Sequence, residues 1–125
     1  MASRGVLLQA LFNQFYSLIG ELREMFPNDT DFPVYETAIR AIQKTNPSLL
    51  LHHYKTNVIE TGFGEKINAR DESFFVDYHY AEYDSADVIG KLKQYWRVLS
   101  PESQSAVWAY VSALHTIATR LIKSD

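Results

Sequence analysis

Apolar residues recur at helical spacing along nearly the whole chain, and strand-like alternation is scarce. The longest regular run closes the sequence. Val107, Trp108, Val111, Leu114, Ala118, Leu121 and Ile122 fall at the i, i+3, i+4, i+7 positions of one buried face. Ser100-Pro101-Glu102 starts this run. The Ser100 hydroxyl can accept a backbone N–H two or three residues on. Pro101 suits the first helical position, where its missing N–H costs nothing, and Glu102 complements the positive end of the helix dipole. Because Pro101 also pushes Ser100 out of the α region, the preceding helix must stop there. A helix from Pro101 to Lys123 is about 35 Å long at 1.5 Å per residue, so other helices can pack along it. Before the corner, Val88, Ile89, Leu92, Tyr95, Trp96 and Leu99 form an inward stripe over 86–99, capped by Asp84 or Ser85. Together the two stretches predict a helical hairpin with Trp96 and Trp108 as interior neighbours.

Upstream, Leu8, Leu11, Phe12, Phe15, Leu18, Ile19, Leu22 and Phe26 stripe a first helix over 4–26, with Leu7 and Met25 widening it. So broad a face predicts contact with more than one neighbour. Pro27-Asn28-Asp29 ends it. Thr30 or Asp31 caps a second helix to Thr45, whose face is Val34, Tyr35, Ala38, Ile39 and Ile42. Asn46-Pro47 repeats the cap-then-proline device for a third helix from Ser48 to Ile59. Thr61-Gly62-Phe63-Gly64 breaks the pattern, its glycines permitting positive φ. A short helix over 65–70 follows, and Asp71 caps a further turn reaching Val76. The stretch 77–87 is the least helical, with room for a brief extended piece. The predicted fold is all-α: a compact bundle of five or six helices ending in the hairpin, one domain across residues 1–125.

Composition narrows the function classes. Hydrophobic residues make up 46% of the chain, which excludes wholesale disorder. There is no cysteine, and with it go disulfides, thiol catalysis and thiolate metal sites. A net charge of −3 offers nucleic acid no bulk attraction. No run of 18 apolar residues occurs, so no membrane span is expected. The N-terminal apolar stretch holds Gln9, Asn13 and Gln14 and lacks a cleavage pattern. It is therefore expected to be a helix of the mature protein rather than a targeting signal. The expectation is a soluble, intracellular protein.

Candidate chemistry is sparse. His52 and His53 are sequence neighbours on a helix and point about 100° apart, so they cannot chelate one ion alone. Neither Glu-x-x-His on two helices nor His-Glu-x-x-His is present. Asp77 and His79 could face one way on an extended piece, but two ligands do not make a metal site. His115, at the margin of the closing helix's apolar face, is expected to be a half-buried imidazole bonded to a carbonyl or hydroxyl. For acyl transfer it lacks a Gly-x-Ser-x-Gly nucleophile. Gly62-Phe63-Gly64-Glu65-Lys66 misses the spacing of a phosphate loop, and Glu65 would oppose an anion. No catalytic residue, metal or cofactor is predicted.

The charge pattern carries more. Residues 71–87 hold six acids (Asp71, Glu72, Asp77, Glu82, Asp84, Asp87) and no Lys or Arg, together with Phe74, Phe75, Tyr78, Tyr80 and Tyr83. Lys91, Lys93 and Arg97 follow with no acid before Glu102. Aromatics supply contact area at low entropic cost while charges set orientation, so such a segment suits protein recognition. With Phe74 and Phe75 expected in the core, the predicted partner-binding residues are Asp77, Tyr78, Tyr80, Glu82, Tyr83, Lys91, Lys93 and Arg97. The expected activity is a non-enzymatic interaction module. Its partner is a protein of unstated identity or a second copy, because Ser105, Ala109, Ser112 and Thr116 leave the closing helix's outer face small enough for close approach. The alternative is a nucleic-acid accessory factor using the Lys91, Lys93 and Arg97 face, disfavoured by so few cations.

Met25-Phe26-Pro27-Asn28-Asp29, Asn46-Pro47, Asp71-Glu72 with Phe74-Phe75, Lys91-Leu92-Lys93 with Tyr95-Trp96, and Leu99-Ser100-Pro101-Glu102 followed by Val107-Trp108 also carry a resemblance. Over about Leu11 to Leu121 the chain resembles small, uncharacterised helical proteins of large nucleocytoplasmic DNA viruses. The resemblance implies a viral or virus-infected-cell setting. It transfers no catalytic residue.

Overall fold

The computed structural model describes residues 3–77 and 88–123, and within them every regular element is helical. Helix α1, Arg4–Met25, begins where the Ser3 hydroxyl accepts the Val6 N–H at 3.2 Å, a cap absent from the expectations above. Its broad stripe serves two neighbours, α2 (Asp31–Thr45) and α7 (Pro101–Lys123). Helix α2 returns antiparallel to α1. Tyr16 donates to Gln43 Oε1 at 2.6 Å, and Arg23 pairs with Glu36 at 2.9 Å. Helix α7 is antiparallel to α1 as well, so Arg4 near the start of one donates to the Leu121 carbonyl near the end of the other, at 3.3 Å. On these three rods Leu11, Leu18, Ile19, Ile39, Val111, Leu114 and Leu121 are completely buried in one apolar cluster. Burying each such side chain is worth about 1.5–3 kcal/mol. Long helices in water depend on that face more than on intrinsic propensity.

Between α2 and α7 the elements are short. Thr30 stands at the start of α2 without making the expected side-chain cap. The Asp29 carboxylate accepts the Asp31 N–H at 2.9 Å instead, an Asx turn. Helix α3, Ser48–Tyr54, has Pro47 at its cap position, and Asn46 contributes its carbonyl, which accepts the Leu49 N–H at 3.0 Å. Beyond Tyr54 the predicted third helix changes geometry: Lys55–Ile59 forms a π turn, closed by the Glu60 N–H on the Lys55 carbonyl at 2.9 Å. Gly62, at φ 82, makes the break before α4, Gly64–Asn68. Asp71 caps α5, Ser73–Asp77, accepting the Ser73 N–H at 3.0 Å as its position predicts. Helix α6 covers Val88–Tyr95 and tightens into a 3-10 turn, Trp96–Val98. At the corner the Ser100 hydroxyl accepts the Ser103 N–H at 3.2 Å, the cap that Ser100-Pro101 implies.

The corner holds the aromatic heart of the molecule. Trp96 and Trp108 meet edge to face, with centroids 5.4 Å apart. Phe75 stacks on Trp96 at 4.2 Å and 19°, and lies 5.0 Å from Trp108. Phe74 and Phe75 are completely buried, as core anchors should be. Polar handles are satisfied at the edge of this cluster. The Trp96 indole N–H points to Glu72 at 3.4 Å, and Gln104 donates to the Trp96 carbonyl at 2.9 Å. No helix among the described residues is long and apolar enough to cross a membrane.

Candidate functional site

Two residues along an α-helix amount to about 200° of rotation, and four to about 40°. Lys91 and Lys93 therefore leave α6 on opposite sides, whereas Lys93 and Arg97 nearly align. The expected three-cation face is corrected accordingly. Lys91 is only 6% exposed, and its ammonium lies 2.7 Å from Asp31 Oδ2 and 3.1 Å from Asp29 Oδ2. One turn on, Tyr95 donates its hydroxyl to the same Asp29 carboxylate. Phe26 stacks on the Tyr95 ring at 3.9 Å, and the Lys91 ammonium stands 5.4 Å from the Tyr95 ring centre and 5.9 Å from that of Phe32.

Burial alone would raise the Asp29 carboxyl. Hydrogen bonds from Tyr95, the Asp31 N–H and Lys91 outweigh it and hold Asp29 below the usual carboxylate range. Burial would likewise lower Lys91, but its bonds to Asp31 and Asp29 keep the ammonium above its ordinary value. The hydrogen bond that the Tyr95 hydroxyl donates to Asp29 raises the Tyr95 phenol, with burial adding to it. The group is a strut tying α6 to the α1–α2 corner, not a surface for anions. The corner also borders a concavity of about 590 Å³ rimmed by Phe26, Asp29, Asp31 and Tyr95. Composition hid this cluster, but spacing contained a hint of it, since Lys91 and Tyr95 share a face four residues apart.

Lys93 and Arg97 stay at the surface. Among the described residues, Phe75, Lys93, Trp96 and Arg97 line a slot of about 170 Å³. One residue past Arg97, Val98 is 71% exposed, the most exposed of the large apolar residues described. Of the other expected partner-binding residues, Asp77 ends α5. Tyr78, Tyr80, Glu82 and Tyr83 lie outside the described residues, as does His79.

His115 is bonded to a hydroxyl, as its position predicts, but is more deeply buried than expected, at 7% exposed. Its Nδ1 lies 2.9 Å from the hydroxyl of Tyr54, itself 2% exposed. Burial pushes the Tyr54 phenol far up, so it keeps its proton. The ring edge packs against Gly64, where an added Cβ would stand 3.0 Å from His115 Cε1. The pair is bonded within the core, Tyr54 on α3 and His115 on α7.

Burial also holds the His115 imidazole below its ordinary value. The unfolded chain then takes up this proton first as pH falls. Stability from the neutral ring is complete above about pH 6.5 and is lost below it, down to the folded value. Urea unfolding at about pH 7.5 and 5 should show a smaller loss in His115→Gln than in wild type. Equal losses would mean that another group governs this window.

A third, more apolar hollow of about 230 Å³ is lined by Ile42, Leu49 and Leu50 of α2 and α3 and by His52 and Asn57. The Asn57 amide donates to the His53 carbonyl at 2.9 Å and reaches His53 Nδ1 at 3.2 Å. Among the described residues no three His, Cys, Asp or Glu gather as a metal site would require. On the outer face of α7, Ser105, Ala109 and Thr116 are exposed, while Ser112 is half-buried.

Comparison with known proteins finds no matching family model, no matching curated protein and no matching solved structure.

Proposed function

We propose that the chain is a non-catalytic helical interaction module that binds a protein partner, a second copy included, through the outer edge of the α6–α7 corner. The observation that carries this is Val98, 71% exposed at the end of the 3-10 turn and flanked by Arg97. An apolar side chain held in water beside a cation, above an aromatic core, suits the centre of a small interface. Chain order adds the acidic, tyrosine-bearing stretch that immediately precedes α6. Against the nucleic-acid alternative, Lys91 is neutralised by two aspartates, so the expected three-cation face does not present all three charges to phosphate. An intracellular, virus-related setting belongs to the proposal, supported by the absence of cysteine and by the resemblance noted above.

Val98→Asp combined with Arg97→Glu should remove binding while leaving the helical circular-dichroism spectrum unchanged, since both side chains are exposed. Light scattering reads the mass of wild type and variant, and affinity capture from the native cell reads proteins retained by the wild type alone. Identical masses together with an identical set of retained proteins would refute the proposal.

A further inference from the structure

The apolar hollow beside α3 falls where the chain changes its winding. Its lining includes Leu49, Leu50 and His52 of α3, Thr56 and Asn57 of the π turn Lys55–Ile59, and Ile42 of α2. In a π turn the carbonyl below a residue is five positions back instead of four, and such turns recur at functional sites. Thr37, Thr45, Thr61, Thr116 and Thr119 each donate their hydroxyl to the carbonyl four residues back. Among the described residues Thr56 makes no such bond, and it stands exposed on the lining. Its neighbour Asn57 donates its amide to the His53 carbonyl at 2.9 Å. A carbonyl only accepts, so the Asn57 nitrogen faces it and the side-chain oxygen is left as an acceptor.

The rest of the lining is mainly apolar and graded in depth. Leu50 is 1% exposed, Ile42 is partly buried and Leu49 is 44% exposed, so apolar surface runs from the core to solvent. No Lys, Arg, Asp or Glu lines the hollow. An ion taken out of water there would lack a carboxylate, ammonium or guanidinium to pair with, at high cost. At about 230 Å³ the space exceeds a cavity of about 150 Å³ known to hold benzene, which leaves room for a head group.

We infer that this hollow binds a small uncharged molecule with a ring-sized apolar body and a hydroxyl head. The body lies against Ile42, Leu49 and Leu50. The hydroxyl gives its hydrogen to Asn57 Oδ1 and accepts the hydrogen of the Thr56 hydroxyl. A few convergent polar groups in a mainly apolar concavity are the usual make-up of a small-molecule site. The site lies on α2, α3 and the π turn, apart from the α6–α7 corner, and does not depend on the interaction reading above.

The test is titration of the isotopically labelled full chain with benzyl alcohol, followed through the backbone amide resonances. Toluene, benzoate and benzylammonium serve as comparisons. Expected are saturable shifts centred on residues 42 and 49–57, with both ions bound at least about tenfold more weakly than the alcohol. Thr56→Val keeps the side-chain shape and should weaken benzyl alcohol by about three- to tenfold, the worth of one hydrogen bond, without weakening toluene. Leu49→Asp should weaken the alcohol by about tenfold or more. Both variants alter exposed side chains, a carboxylate suits the first turn of α3, and the amide spectrum itself shows that they fold. Val98→Asp with Arg97→Glu should bind the alcohol as wild type does. Benzoate or benzylammonium binding as tightly as the alcohol would overturn the uncharged class. Equal weakening of alcohol and toluene in Thr56→Val would overturn the hydroxyl head. Shifts that never saturate, that spread equally to exposed Val6, Val34 and Val98, or that persist unchanged in Leu49→Asp would overturn the site altogether.

Discussion

Trp108→Ala should lower the free energy of unfolding by about 3–5 kcal/mol, the usual cost of deleting a large aromatic side chain from a packed core. Trp108 is 6% exposed, and its ring meets Trp96 at 5.4 Å, Phe75 at 5.0 Å and Phe74 at 6.4 Å. Three elements would border the hole: α5 through the phenylalanines, the 3-10 turn through Trp96, and α7 itself. Helix α7 cannot simply move in, because its other face is committed to α1. Trp108→Phe keeps a ring and should cost clearly less than the alanine variant. Urea denaturation with an unchanged m-value reads both numbers. A loss under about 1 kcal/mol, the size of an ordinary surface change, would mean that the aromatic cluster does not hold the corner together.

The second large effect is expected at Lys91. Removing one member of a buried pair strands the other, typically at about 3–5 kcal/mol. Here Asp29 is 13% exposed by side chain but Asp31 is 52% exposed, so water screens part of the cost. Lys91→Ala should therefore destabilise by about 2–3 kcal/mol. The difference between wild type and variant should shrink as pH falls through the carboxylate range. Asp29's lowered pKa contributes stability that is present above about pH 3.8, its ordinary value, and lost as the carboxylate protonates. Lys91→Met with Asp29→Asn removes most of the charge together with its partner, and should recover much of what Lys91→Ala loses. No recovery in thermal or urea unfolding would show that α6 is held by packing alone.

Several features were legible because their causes are local. The Ser100 and Asp71 caps each depend on a hydroxyl or carboxylate reaching an N–H two or three residues away, so residue order is enough to place them. The π turn after Tyr54 was not legible, because the apolar spacing of Leu50, Leu51, Tyr54 and Val58 fits an α-helix equally well. Thr30 was a reasonable cap that lost to Asp29, whose carboxylate reaches the same stretch of backbone from one residue earlier. Along the sequence Lys91, Lys93 and Arg97 read as one basic run, but rotation about the helix by itself separates Lys91 from Lys93.

By itself the sequence determined that this protein is all-helical, where its long rods begin and end, and that Trp96 and Trp108 face inward across a proline-started corner. Periodicity and capping are short-range, and hydrophobic burial is non-directional, so these follow from residue order. Tertiary structure alone decided which cations remain at the surface. Lys91 became a strut because Asp29 and Asp31, some 60 residues away, arrive beside it when α2 folds back on α1. Lys93 and Arg97 became the rim of an aromatic slot because α5 carries Phe75 underneath them. Charges act through space, and only the packed chain sets the distances between them.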